Sequence, residues 1–279
     1  MVAAFAVALS LLAAPPPPAG RKLSVVQAVL HHRSESAPAI PAGYRYIGGE
    51  LIYFSFRVAG YQVKNDKVSL RWLIFATDPG GRLLWEPING AIGEEVSHND
   101  ENWLPKVSQI LPLPPQLPPG PYKLYIKATD VNAETSTELS LDFAVGGNPI
   151  PSPPEFSILN PAFYRDERYP SPMPEAVYKP GETLILKFQL AGFAVGEKNR
   201  FEVEYGIKVL RPSGREMYAE PRAAAESDSP YYPKRVMNGT VSLNLSSDLT
   251  PGEYSLVIAA RDLGGQKTAE SRVAFKVEK

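Results

Sequence analysis

The chain has 279 residues, with 29 Lys and Arg against 30 Asp and Glu, 29 Pro, 21 Gly, three His and no Cys. A formal net charge of −1 gives no electrostatic reason to bind nucleic acid, and the lack of Cys excludes disulfides, thiolate metal centres and a thiol nucleophile. A hydrophobic fraction of 44% supports packed cores, while so much proline argues against a helix-rich chain, because proline breaks helix interiors.

In chain order, the first feature is Val2–Leu12, uncharged and apolar, followed by Ala13, Ala14 and Pro15–Pro18. It is shorter than the roughly 20 residues needed to cross a bilayer and suits the hydrophobic region of an export signal. Residues 1–21 are therefore read as a signal peptide with a Pro-rich segment. The expected location is exported, periplasmic or extracellular, with no transmembrane span in the mature chain.

Period-two alternation then predicts strands over Leu51–Val58, Val68–Phe75, Tyr122–Ala128 and Leu139–Val145. Turn compositions stand at Asp78-Pro-Gly-Gly and Asp130-Val-Asn-Ala. Residues 86–106 read as a long insertion. After the spacer GGNPIPSPP at 146–154 the series starts again. GELIYFSFRVAGYQV at 49–63 matches GETLILKFQLAGFAV at 181–195, and PGPYKLYIKATD at 119–130 matches PGEYSLVIAARD at 251–262, both at an offset of 132. Strands are expected again over Leu184–Leu190, Phe201–Leu210, Tyr254–Ala260 and Ser271–Val277, with a second insertion at 219–238. Two copies of one domain follow from this, 22–147 and 154–279, joined by a Pro-rich linker at 148–153. The fold class expected is all-β, two tandem antiparallel sandwiches.

Leu117-Pro-Pro-Gly-Pro-Tyr122 and Leu249-Thr-Pro-Gly-Glu-Tyr254 each run into an alternating strand that ends in Asp. This resembles the loop-to-strand corner of exported bacterial immunoglobulin-like and fibronectin-type-III-like repeats. The resemblance implies that Tyr122 and Tyr254 are structural corner residues whose hydroxyls bond back to the preceding backbone. It also implies an inner aromatic position, matched by Trp72 in the first copy and Tyr205 in the second. The disulfide of antibody domains has no counterpart here.

A search for chemistry finds no Gly-x-Ser-x-Gly elbow, no phosphate loop and no His-Glu-x-x-His. The only imidazoles are His31, His32 and His98, and His31-His32 aligns with Tyr164-Arg165 in the other copy. The chain thus reads as non-enzymatic, with no cofactor, no metal site and no catalytic residues. Asp130, Asn132 and Glu134 alternate as calcium ligands could, but a hairpin turn with local backbone bonds is the favoured reading. Glu94-Glu95 with Asp100-Glu101 read as solvated loop charges.

Alternation assigns Leu51, Tyr53, Leu73 and Phe75 to the outer faces of the first copy, where the second has Thr183, Ile185, Gly206 and Lys208. Contiguous exposed apolar surface tends to be an interface. Tyr231 and Tyr232, with Lys234 and Arg235, offer an aromatic and cationic loop in the second copy. The expectation is an exported module for protein–protein interaction or surface structure, whose partner is another envelope or extracellular protein. The alternatives are a carbohydrate-binding protein with a polysaccharide partner and a periplasmic chaperone-like protein pairing an edge strand with a client.

Overall fold

The structure is a computed structural model that describes residues 22–97, 100 and 102–279. Residues 1–21, His98, Asn99 and Glu101 lie outside the described residues, and with them the signal-peptide reading, one imidazole and one loop carboxylate.

The described chain is all-β. In chain order the first half carries β1 (Ser24–His31), β2 (Arg45–Tyr46), β3 (Leu51–Ala59), β4 (Lys67–Thr77), β5 (Ile88–Glu95), β6 (Lys106–Pro112), β7 (Gly120–Asp130) and β8 (Thr135–Val145). The second carries β9 (Ser157–Tyr164), β10 (Val177–Tyr178), β11 (Thr183–Ala191), β12 (Phe201–Leu210), β13 (Glu216–Asp228), β14 (Val236–Asn244), β15 (Gly252–Asp262) and β16 (Lys267–Val277).

These strands form four sheets, β1-β3-β6 and β2-β8-β7-β4-β5 in the first half, β14-β11-β9 and β10-β16-β15-β12-β13 in the second. Pairing is antiparallel except for β2 on β8 and β10 on β16. Between β1 and β2, and again between β9 and β10, the chain leaves the three-stranded sheet for the edge of the five-stranded one. Gln27 and Asn160 hold φ angles of 49° and 50° at the bulges that interrupt the register of β1 and β9.

Alternation decides which side chains enter the core. On β3, Ile52, Phe54, Phe56 and Val58 are buried. On β4 the matching set is Val68, Leu70, Ile74 and Ala76, with β7 adding Leu124, Ile126 and Ala128. They form one cluster drawn from both sheets, as in stacked sheets. The second half repeats this with Leu184, Leu186, Phe188 and Leu190 against Val203, Tyr205, Ile207, Leu256 and Ile258.

Trp72 takes the inner register position opposite Ala128, and Tyr205 the one opposite Ala260. The indole lies against Gly90 of β5, where a Cβ would collide with the ring. Tyr205 donates from its hydroxyl to the Thr240 carbonyl at 2.8 Å.

Two expectations about loops are corrected. Residues 86–106 contain β5 and the start of β6, and 219–238 contain the end of β13 and the start of β14. Both β5 and β13 are sheet edges. An edge strand needs apolar side chains on only part of one face, so Ile88-Asn-Gly-Ala-Ile-Gly reads as a loop. In β13, Pro221 sits in a register shift opposite Gly206, which breaks the alternation.

Candidate functional site

Turns and corners come first, because they hold the surfaces in place. Tyr122 donates from its hydroxyl to the Pro118 carbonyl at 2.7 Å, and Tyr254 to the Thr250 carbonyl at 2.8 Å. Desolvation raises the Tyr122 phenol well above its ordinary pKa.

Asp130 is fully buried. Its carboxylate accepts from the backbone amides of Gln62 at 2.6 Å, Asn132 at 2.9 Å and Ala133 at 3.3 Å. The Asn132 amide donates to the Gln62 and Lys67 carbonyls, both at 2.9 Å. The Asp130 carboxylate oxygens and the Asn132 side-chain nitrogen are therefore engaged in tying the turn to the β3–β4 loop. Asp262 does the same work with Ala194 and Gly265. Among the described residues no three His, Asp or Glu stand close enough together to hold a metal.

Of the imidazoles, His31 joins Ser55 Oγ at 2.7 Å and the Ala37 carbonyl at 2.8 Å, which ties β3 to the β1–β2 connection. His32 packs edge-on against Tyr44. In the acidic insertion, Glu95 pairs with Lys67, and Asp100 accepts from the Ser97 amide and hydroxyl, which holds its carboxyl below the usual carboxylate range.

The four outer-face residues do not form one surface. Leu51 and Tyr53 stand on β3 in the three-stranded sheet, whereas Leu73 and Phe75 stand on β4 in the five-stranded one, on the opposite side of the core. Phe75 stacks on Tyr125 across β7, with ring centroids 4.8 Å apart. Around that pair run Lys123–Asp142 and Lys127–Glu138, with Lys67–Glu95 at the far end of β4. That face is a solvated ladder with one half-buried aromatic pair.

The other face is different. Tyr53 has His31 on one side and Ile110 on the other, and Leu51 pairs with Pro112. Leu51 and Ile110 are 45% and 56% exposed, which makes this an open apolar row. It runs into a cleft of about 410 Å³ between the β1–β2 connection and the start of β3, lined by His32, Arg33, Ile40, Tyr44, Tyr46 and Glu50. The Glu50 carboxylate accepts from the Ile47 amide at 2.8 Å and the Tyr44 hydroxyl at 3.3 Å. Tyr46 is buried, its hydroxyl has no hydrogen-bond partner among the described residues, and burial pushes its pKa up to about 12.

Tyr231 is 45% exposed, with its carbonyl accepting from Asn199. Tyr232 is not available to a partner. It packs on the core cluster of the first half and donates to Asp78 at 2.9 Å. Beside it the Gln116 carboxamide accepts from the Arg235 and Val236 amides, both at 3.0 Å, and donates to the Val236 carbonyl at 2.5 Å. Lys234 is paired with Glu226 and lies over the Phe201 ring. The aromatic and cationic loop thus joins the two halves. Sequence reasoning missed Ile110, Tyr44, Glu50 and Gln116, which gain meaning only from pairings across the fold.

No protein-family model matches the chain, and no curated protein matches it. Many solved structures are similar to it, two of them as follows. One is a transglutaminase from red sea bream, with 9% identity, 91% of this chain and 31% of that chain covered, and a TM-score of 0.28. The other is the Pseudomonas fluorescens alkylpurine DNA glycosylase AlkC bound to DNA containing an abasic site analog, with 16% identity, 45% and 31% covered, and a TM-score of 0.29. The chain spans about a third of the length of either. Both bear enzyme names, and the non-enzymatic reading is withdrawn as a correction, on the ground that a missing sequence motif is no measure of what a sheet scaffold can host. At these TM-scores neither structure carries an activity over to this chain. No helix among the described residues is long and apolar enough to cross a membrane.

Proposed function

We propose that the chain is an exported interaction module built of two tandem immunoglobulin-like or fibronectin-type-III-like domains, 22–147 and 154–279, that docks onto another envelope or extracellular protein through its first domain. The observation that carries this reading is the row His31, Tyr53 and Ile110 with Leu51, open to solvent beside the tyrosine-walled cleft. At the matching rows the second copy has Tyr164, Ile185 and Ser242, with Thr183 beside Asn244. An exposed apolar row with aromatic members next to a preformed cleft has the composition of an interface centre. The repeat, the switching of the chain between sheets and the two tyrosine corners support the domain type. The apolar Val2–Leu12 segment supports export.

The test is capture from an envelope extract of the source organism. Wild type and a Leu73→Ser/Phe75→Ser variant recover the same defined protein, and Tyr53→Ser/Ile110→Ser loses it with its circular dichroism unchanged. Retention by Tyr53→Ser/Ile110→Ser, or loss in the Leu73→Ser/Phe75→Ser variant alone, overturns the assignment of the face.

A further inference from the structure

The three-stranded sheet of the second half turns quite different chemistry outward. Along its central strand β11, Lys187 lies between Ala162 and Thr240, and Gln189 between Leu159 and Asn238. Asn160 stands at the β9 bulge. With Tyr164 these residues line a groove of about 620 Å³.

The groove's one cation is already engaged. The Lys187 ammonium donates to the Glu167 carbonyl at 2.6 Å and lies 4.4 Å from the centre of the Tyr164 ring. Gln189 Nε2 donates to Asn238 Oδ1 at 3.3 Å. That leaves Gln189 Oε1, Asn238 Nδ2, both ends of the Asn160 amide and the Thr240 hydroxyl without a side-chain partner among the described residues. The central strand of the first half differs at the two matching outward positions. Ser55 is buried against His31, and Arg57 is committed to the Leu104 carbonyl at 2.6 Å.

We propose that this groove binds a neutral carbohydrate chain. Side-chain amides and hydroxyls each donate and accept, as sugar hydroxyls do, so a polyol replaces their water bonds one for one. A phosphate or nucleic-acid ligand needs several free cations, and the groove has none. An apolar peptide side chain would leave the amides unpaired. The proposal is independent of the protein-docking face, since the two sites share no residue.

The experiment titrates the full chain with cellohexaose, maltohexaose, xylohexaose and N-acetylchitohexaose, followed by amide chemical shifts and calorimetry. At least one of the four saturates, with shifts centred on Asn160, Gln189, Asn238 and Thr240. Gln189→Ala and Asn238→Ala each weaken it by about tenfold, the worth of one or two hydrogen bonds. Tyr53→Ser/Ile110→Ser leaves it unchanged, which separates this site from the docking face. Absence of saturation by all four up to about 10 mM, shifts centred elsewhere, or full affinity in the Gln189→Ala/Asn238→Ala double variant overturns the proposal.

Discussion

Asp130 and Asp262 end equivalent strands, one in each half, and each buries its carboxylate against the amides of a neighbouring loop. Tyr122 and Tyr254 stand eight residues before them and bond back to the loop they close. On the outer face of the three-stranded sheets the two halves part: Tyr53 and Ile110 occupy rows where the other half has Ile185 and Ser242, and Lys187, Gln189 and Asn238 stand where the first half has Ser55, Arg57 and Lys106. The contrast has a physical cause. A buried group that satisfies backbone N–H cannot change without leaving donors unpaired in a place water does not reach. A side chain facing solvent carries no such debt, so the copies are free to diverge there.

The largest effect falls on the shared fixtures. Asp130→Ala strands three amides and is expected to cost about 3 kcal/mol, with Asp262→Ala, which strands two, costing less. Chemical denaturation of both variants checks the order. Equal stability of Asp130→Ala and wild type would show that these amides do not depend on the carboxylate.

Next comes the joint between the halves. Gln116→Ala removes three hydrogen bonds to the Arg235–Val236 backbone, and Tyr232→Phe removes the bond to Asp78. The double variant is expected to lose about 2 kcal/mol and to split one unfolding transition into two, read by calorimetry. A single sharp transition in that variant would show that the halves are coupled by something other than this contact.

Smaller still are the tyrosine hydroxyls, and here the sign differs between positions. Tyr122→Phe and Tyr254→Phe each lose a bond to a backbone carbonyl, about 1 kcal/mol apiece. Tyr46→Phe removes a buried hydroxyl that has no partner among the described residues, and is expected to be neutral or stabilising by up to about 1 kcal/mol. A loss at Tyr46→Phe as large as at Tyr122→Phe would mean that the Tyr46 hydroxyl is satisfied after all.

Much of the skeleton was legible before any coordinates. The repeat and its period-two blocks located β3, β4, β7 and β8 and their counterparts within a few residues, because central strands bury a whole face and must alternate. Edges β5 and β13 escaped, since Gly90 answers to Trp72 and Pro221 to a register shift, both cross-strand matters. Alternation also told that Leu51, Tyr53, Leu73 and Phe75 face outward, without telling which sheet each belongs to. That depends on where the chain crosses between sheets. Nothing in the sequence around Tyr232 shows that it faces inward, because its partner, Asp78, lies 154 residues away. The amide groove is assembled from β9, β11 and β14, and no short stretch of sequence holds it.

The smallest effect at neutral pH is one that vanishes there and grows only in alkali. Tyr46 and Tyr178 hold matching positions beside the short parallel pairs β2–β8 and β10–β16, and desolvation raises both phenols to about 12. An unfolded tyrosine ionises near pH 10. The folded state therefore keeps a proton that the unfolded state gives up between about pH 10 and 12, so stability is flat below that window and falls as pH rises through it. Because both halves bury the same phenol, both are expected to weaken over the same interval, with Tyr46→Phe and Tyr178→Phe each relieving one half. Absorbance of tyrosinate against circular dichroism checks this. A rise in tyrosinate absorbance from the two buried phenols is expected to accompany loss of structure nearer pH 12. A single rise near pH 10, complete for all 14 tyrosines while the sheets persist, would show that neither phenol is held protonated by the fold.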